Sequence, residues 1–172
     1  MLFGNVNPAG RLPVTFYRST QDLPEFSNYS MENRTYRYFK GDALFAFGYG
    51  LSYTQFEYSQ LKTFTRNVAT DGRLSVTINV KNTGPRAGEE VVQLYVRHLS
   101  SPVPQPLHSL AGFKRVALKI GESKDVEFDL PATALRYWSE SKDDYVVPTG
   151  QFEIQVGASS ADIRLKTTCV VN

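Results

Sequence analysis

Three groups of residues have the types that could do chemistry. Asp125, Glu127 and Asp129 recur at period two, so on an extended chain they share one face. Carboxylates so placed could hold calcium or exchange protons. The same pattern describes the solvated outer face of a half-buried sheet, and that is the expectation here. Glu89 and Glu90 are adjacent, point to opposite faces of a strand and cannot act as a pair. Hydrolysis by paired carboxylates with retention needs the two groups about 5–5.5 Å apart across a pocket, and no local pattern supplies this. His98 and His108 flank a proline-rich segment without a carboxylate or cysteine pattern, so no metal is expected there. Gly48-Tyr49-Gly50-Leu51-Ser52 begins like a dinucleotide loop but lacks its third glycine. It reads as a tight aromatic turn, and no cofactor is expected.

The segment Arg34-Thr35-Tyr36-Arg37-Tyr38-Phe39-Lys40 interleaves cations with rings. Rings could stack on bases while cations hold phosphates, or a ring could lie against a pyranose. The reading preferred to both packs the rings into a domain junction. Tyr36, Arg37 and Tyr38 stand as the candidates for substrate contact, and no residue is a catalytic candidate. Trp138, alternating with Tyr137, is expected in the core.

These residues need positioning, and the chain offers two regions of different grammar. Residues 1–56 are rich in Gly, Pro, Asn and aromatics, with Leu12–Phe16 as one short candidate strand. A segment this long without regular structure cannot build its own core, so it reads as an arm that lies against something larger. Residues 57–172 carry recurrent strands. Leu74, Val76, Ile78 and Val80 alternate with polar residues, as do Val126, Phe128 and Leu130. Val91–Val96 is expected to be a half-buried strand and Leu110–Leu118 the next. Leu99–Leu107, with Pro102, Pro104 and Pro106, is expected to be an extended loop. Ala134–Ser139 and Tyr145–Val147 flank the charged turn Lys142-Asp143-Asp144. Phe152–Val156 and Ile163–Val171 complete the series. About seven short strands with regular turns predict an all-β, immunoglobulin-like or fibronectin type III-like antiparallel β-sandwich carrying an irregular N-terminal arm.

Composition narrows the partners. The 172 residues have a formal net charge of +2 and 41% hydrophobic residues, which supports a real core and gives no case for nucleic acid or a membrane. The single cysteine excludes an internal disulfide and a cysteine-based zinc site. Compartment stays open among bacterial cytoplasm, periplasm and the exterior.

Several motifs occur in a familiar order. Gly4-Asn5-Val6-Asn7-Pro8-Ala9-Gly10-Arg11-Leu12-Pro13-Val14-Thr15-Phe16 resembles the end of the second catalytic-core domain of glycoside hydrolase family 3. Tyr36-Arg37-Tyr38-Phe39 and Phe47-Gly48-Tyr49-Gly50-Leu51-Ser52-Tyr53-Thr54 resemble the connector that follows. Asn82-Thr83-Gly84 through Val96, Leu110–Lys114, Gly121-Glu122-Ser123 and Gly150–Ser160 resemble the family's fibronectin type III-like terminal domain. Met31–Phe39 leans toward the β-xylosidase side of the family. The resemblance implies a retaining exo-β-glycosidase on terminal β-linked xylose or glucose, with its aspartate nucleophile and acid–base glutamate both upstream of Gly4. The chain is therefore expected to be a non-catalytic stabilising portion whose partners are the missing catalytic domains, and to show no turnover alone. A module that binds oligosaccharide or plant-wall polysaccharide through exposed aromatics is the alternative. Either self-association through the arm or an arm folded back onto the sandwich is also expected, from its unpartnered aromatics.

Overall fold

A computed structural model describes residues 1–101 and 103–172, so Pro102 of the expected proline loop lies outside the described residues. Among them are seven strands of eight residues or more: β1 (Phe56–Thr63), β3 (Arg73–Asn82), β4 (Gly88–His98), β5 (Ser109–Leu118), β6 (Ser123–Pro131), β9 (Gly150–Gly157) and β10 (Ile163–Val171). Three shorter ones are β2 (Asn67–Val68), β7 (Tyr137–Ser139) and β8 (Asp144–Val146). The long strands form two layers, β1-β3-β6 and β2-β10-β9-β4-β5, and β7-β8 is a separate hairpin. All pairings are antiparallel except the two-residue contact of β2 with β10, which is parallel.

The period-two residues put the core between the layers. On β3, Leu74, Val76, Ile78 and Val80 face inward and are almost wholly buried. β6 lies beside it with Val76 opposite Phe128 and Ile78 opposite Val126. The facing layer contributes Val92, Leu94 and Val96 of β4, Phe152, Ile154 and Val156 of β9, and Cys169 and Val171 of β10. Each large apolar side chain so buried contributes about 1.5–3 kcal/mol. On the outer face of β6, Asp125, Glu127 and Asp129 are exposed. Asp125 accepts from Asn79 and Asp129 pairs with Arg73, so the acidic run is a solvated face.

Three local expectations are corrected. Val91–Val96 is buried on both faces, because the arm covers Val91, Gln93 and Tyr95 on the side away from the core. Ala134–Ser139 is not one strand: a single 3₁₀ turn, Ala132–Leu135, buries Ala132 and Leu135 before the three-residue β7 begins. Trp138 is not in the core. It is 49% exposed on the β7-β8 hairpin, where the alternation of a short strand buries its neighbour Ser139 and half-buries Tyr137 instead.

The arm is held by few backbone bonds. Phe16 and Phe45 form an isolated antiparallel bridge, and Leu12 exchanges bonds with Tyr49 and Gly48. This is less than the strand expected over Leu12–Phe16. One helical turn, α1 (Thr35–Tyr38), opens on Thr35, which like Asn33 just before it has positive φ. For β-branched Thr35 that conformation is strained.

Candidate functional site

The arm meets the sandwich through an aromatic stack and a set of buried polar clips. Tyr36 from α1 stacks on Phe47 with centroids 4.1 Å apart and planes 15° apart. It also lies against His108 at 5.8 Å and meets Tyr95 of β4 edge-on at 6.1 Å. Its hydroxyl accepts from the Leu110 backbone N–H at 3.0 Å. Beside the stack, Gln93 Nε2 donates to the carbonyls of Gly48, 3.1 Å, and Ala158, 2.6 Å, while its Oε1 accepts from the Tyr95 hydroxyl at 2.6 Å. One amide thus joins the arm, β4 and the loop after β9. Gly48 is needed here: its φ is +80°, and a Cβ would fall 2.0 Å from Gln93 Oε1.

Further along the junction, Arg11 donates to Glu90 at 2.7 Å, and both side chains are nearly out of solvent. Glu90 also accepts from the Val91 N–H. Asn82 accepts from the Thr54 hydroxyl at 2.7 Å and donates to the carbonyls of Arg86 and Leu118. Buried amides and carboxylates with full sets of partners favour one arrangement of the segments they join. Burial holds the hydroxyls of Tyr58 and Tyr95 protonated far above the ordinary phenol range. Burial also lowers the basicity of His108, with Arg97 and Lys166 adding to the effect and a bond to Gln155 opposing it.

The β7-β8 hairpin, the loop between β4 and β5 and the arm border a cleft of about 800 Å³. Trp138 and Tyr145 are cross-strand partners there, edge-to-face at 5.2 Å, and Arg136 lies 5.0 Å above the Tyr145 ring. Phe152, Val96 and Leu135 supply apolar lining, and Glu140 is the one carboxylate among the described lining residues. His98 stacks on Phe152 at 4.4 Å in the same wall. Burial lowers its basicity, and the Thr149 backbone opposes this slightly without being placed for a full hydrogen bond.

The structure divides the three candidates read from the sequence. Tyr36 belongs to the junction stack, whereas Arg37 and Tyr38 line the cleft. Arg37 also fastens the arm, donating to the Ser109 hydroxyl at 3.0 Å and accepting at its carbonyl from the Leu107 N–H. The sequence reading missed Trp138, Tyr145 and Arg136 as cleft residues. Their signal was an aromatic on each side of the charged turn Lys142-Asp143-Asp144. The histidines are not joined in a metal set: no cluster of three or more His, Cys, Asp or Glu occurs among the described residues.

The two layers, their strand order and the crossover connections define a fibronectin type III-like β-sandwich. Residues 90–160 match the fibronectin type III-like domain family, and residues 1–53 match the glycosyl hydrolase family 3 C-terminal domain. The chain corresponds to the C-terminal portion of glycoside hydrolase family 3 proteins. It is 47% identical to a xylan 1,4-beta-xylosidase of Xylanibacter ruminicola over 96% of this chain and 19% of that protein. It is 40% identical to thermostable beta-glucosidase B of Acetivibrio thermocellus over 100% of this chain and 24% of that protein. Among solved structures, beta-glucosidase 3B from Thermotoga neapolitana superposes with a TM-score of 0.89 at 36% identity, over 100% of this chain and 26% of that one. The chain thus spans about a fifth to a quarter of the length of these curated relatives.

Proposed function

We propose that this chain is a non-catalytic bracing unit of a β-glycosidase that removes terminal β-linked xylose or glucose with retention. Residues 1–56 would be the end of the enzyme's α/β sandwich domain and its connector, and residues 57–172 the brace. The observation that carries this reading is the junction, where Tyr36, held against Phe47, meets Tyr95 and Leu110, and the Gln93 bridge ties Gly48 to β4, so that the family 3 segment is locked onto the outer face of β4. The other side of the arm is unpartnered: Leu2, Phe3, Phe26 and Tyr29 are each about nine-tenths exposed. Apolar surface of this extent marks an interaction site, and the domains that the longer relatives carry would cover it. A brace of this kind matters to catalysis because a displacement of about 1 Å at a reacting centre can cost about a hundredfold in rate.

The test places Phe47→Ala in the full-length enzyme. Melting temperature and turnover of aryl β-xylosides and β-glucosides should both fall. If neither changes, the brace is not what the junction provides. The 172-residue chain itself should turn over neither substrate. It should also associate reversibly through the arm as its concentration rises, as sedimentation velocity would detect.

A further inference from the structure

The β7-β8 hairpin is not required by the core. Ser139 and the turn residues Ala132 and Leu135 are buried, but Trp138 and Tyr145 are 49% and 57% exposed and lie outside the apolar cluster between the layers. Large rings are costly to leave in water and are enriched where a partner or ligand covers them. Here the two rings are fixed relative to one another by strand pairing, and Arg136 occupies one face of Tyr145. That leaves the indole as an exposed platform in a cleft that Tyr38 and the Pro104–Pro106 segment also line.

The charges of the cleft restrict what it can hold. Arg136 is committed to the Tyr145 ring and Arg37 to the Ser109 hydroxyl. Glu140 is the only carboxylate among the described lining residues, and burial disfavours the charged form of His98. Among the described lining residues both arginines are engaged, and no pair of carboxylates is present. What remains is a set of apolar faces interspersed with neutral or already satisfied hydrogen-bonding groups, among them Gln105, Ser141 and Ser139. A pyranose has the complementary character, with a C–H face that lies on a ring and a rim of hydroxyls. The cleft's volume of about 800 Å³ falls within the roughly 300–1,000 Å³ of small-molecule sites.

We propose that this cleft is an accessory binding site for an unbranched β-linked oligosaccharide of xylose or glucose, with Trp138 as its stacking platform and Tyr38 and Tyr145 as flanking contacts. The linkage and sugar class rest on the reading of the chain as part of a β-glycosidase. The site itself rests on the cleft alone. Such a site would hold the polymer from which an exo-acting enzyme's substrate ends derive, at a distance from the bond being cut.

The chain carries a built-in reporter, because Trp138 is its one tryptophan. Xylohexaose and cellohexaose are titrated into the 172-residue chain while its indole emission is followed, with maltohexaose as the α-linked control and a proline-rich decapeptide as a different class of occupant. A saturable shift with a β-linked hexasaccharide is expected, with neither control matching it. Tyr145→Ala and Tyr38→Ala, which keep the reporter, should each weaken it at least about tenfold, equivalent to ~1.4 kcal/mol, at unchanged far-UV dichroism. Trp138→Ala should abolish the binding heat in calorimetry. The proposal is overturned by no saturable response to either β-linked sugar up to about 10 mM, where even a millimolar site is occupied. It is equally overturned by a matching response to maltohexaose or the peptide, or by undiminished affinity in Tyr145→Ala. Because this titration reads the isolated chain, its failure leaves the bracing reading standing. Failure of Phe47→Ala to disturb the full enzyme leaves this result untouched.

Discussion

The sandwich and the arm solve the same problem by different means. The sandwich closes a continuous apolar interior between two sheets, and its strands support one another through the ladders of β3 with β6 and β4 with β9. The arm has almost no ladder and little interior. It is positioned by single side chains, Gln93, Glu90 and Asn82, that reach out from the sandwich and bind backbone or side-chain groups of the arm. An apolar core tolerates some rearrangement so long as volume is kept. Directional bonds to buried groups do not, because each unmade partner costs about 1–3 kcal/mol. The arm is therefore the less stable region and the more exactly placed one.

Four perturbations would break or sharpen that contrast, in falling order of effect. Ile78→Ala empties a site at the centre of β3, where the side chain is wholly buried. It should cost about 3–4 kcal/mol. The melting temperature should fall by roughly 6–16 °C, with arm and sandwich losing protection together. Survival of the arm's hydrogen-exchange protection in that variant would show that the arm does not depend on the sandwich. Arg11→Met leaves Glu90 without its counter-ion while still nearly out of solvent. Breaking one side of such a pair costs about 3 kcal/mol, and chemical denaturation should register it as a lowered midpoint. Phe47→Ala removes half of the stacked pair and should cost about 2 kcal/mol. Exchange should speed up across residues 35–50 and leave β3 and β6 as they were. Equal acceleration in both regions would end the contrast.

The smallest effect is that of pH. Burial holds His108 and His98 below the ordinary imidazole value of 6.5. Between the folded and unfolded values the unfolded chain binds more protons, so stability rises with pH there. Stability is complete above about 6.5 and should decline as the solution is acidified below it. His108→Gln should flatten part of that decline in a series of thermal melts. Melts that are steeper in the variant would contradict the burial of the ring between Tyr36 and Tyr95.

Much of the sandwich could be read in advance, because alternation on β3 and β6 has one cause, a sheet with one wet face. β4 was harder. Val91, Gln93 and Tyr95 are as bulky as Val92, Leu94 and Val96, and such a run fits a strand buried on both faces as well as a half-buried one. Only the position of the arm decides between them. The candidate site was legible in part. Arg37 and Tyr38 reach the cleft, but Tyr36 turns into the junction because successive residues of a helical turn project about 100° apart, and nothing periodic announced that turn. Trp138 was misplaced because a three-residue strand is too short for alternation to tell inward from outward.

Cys169 sits on β10 opposite Phe152, almost wholly buried, and burial raises its thiol above the ordinary range. A maleimide or disulfide reagent reaches such a sulfur only when the last strand peels from β9. The sulfur is also the only one of its kind in the chain. Its rate of labelling is therefore a clock for opening of the sandwich around β10.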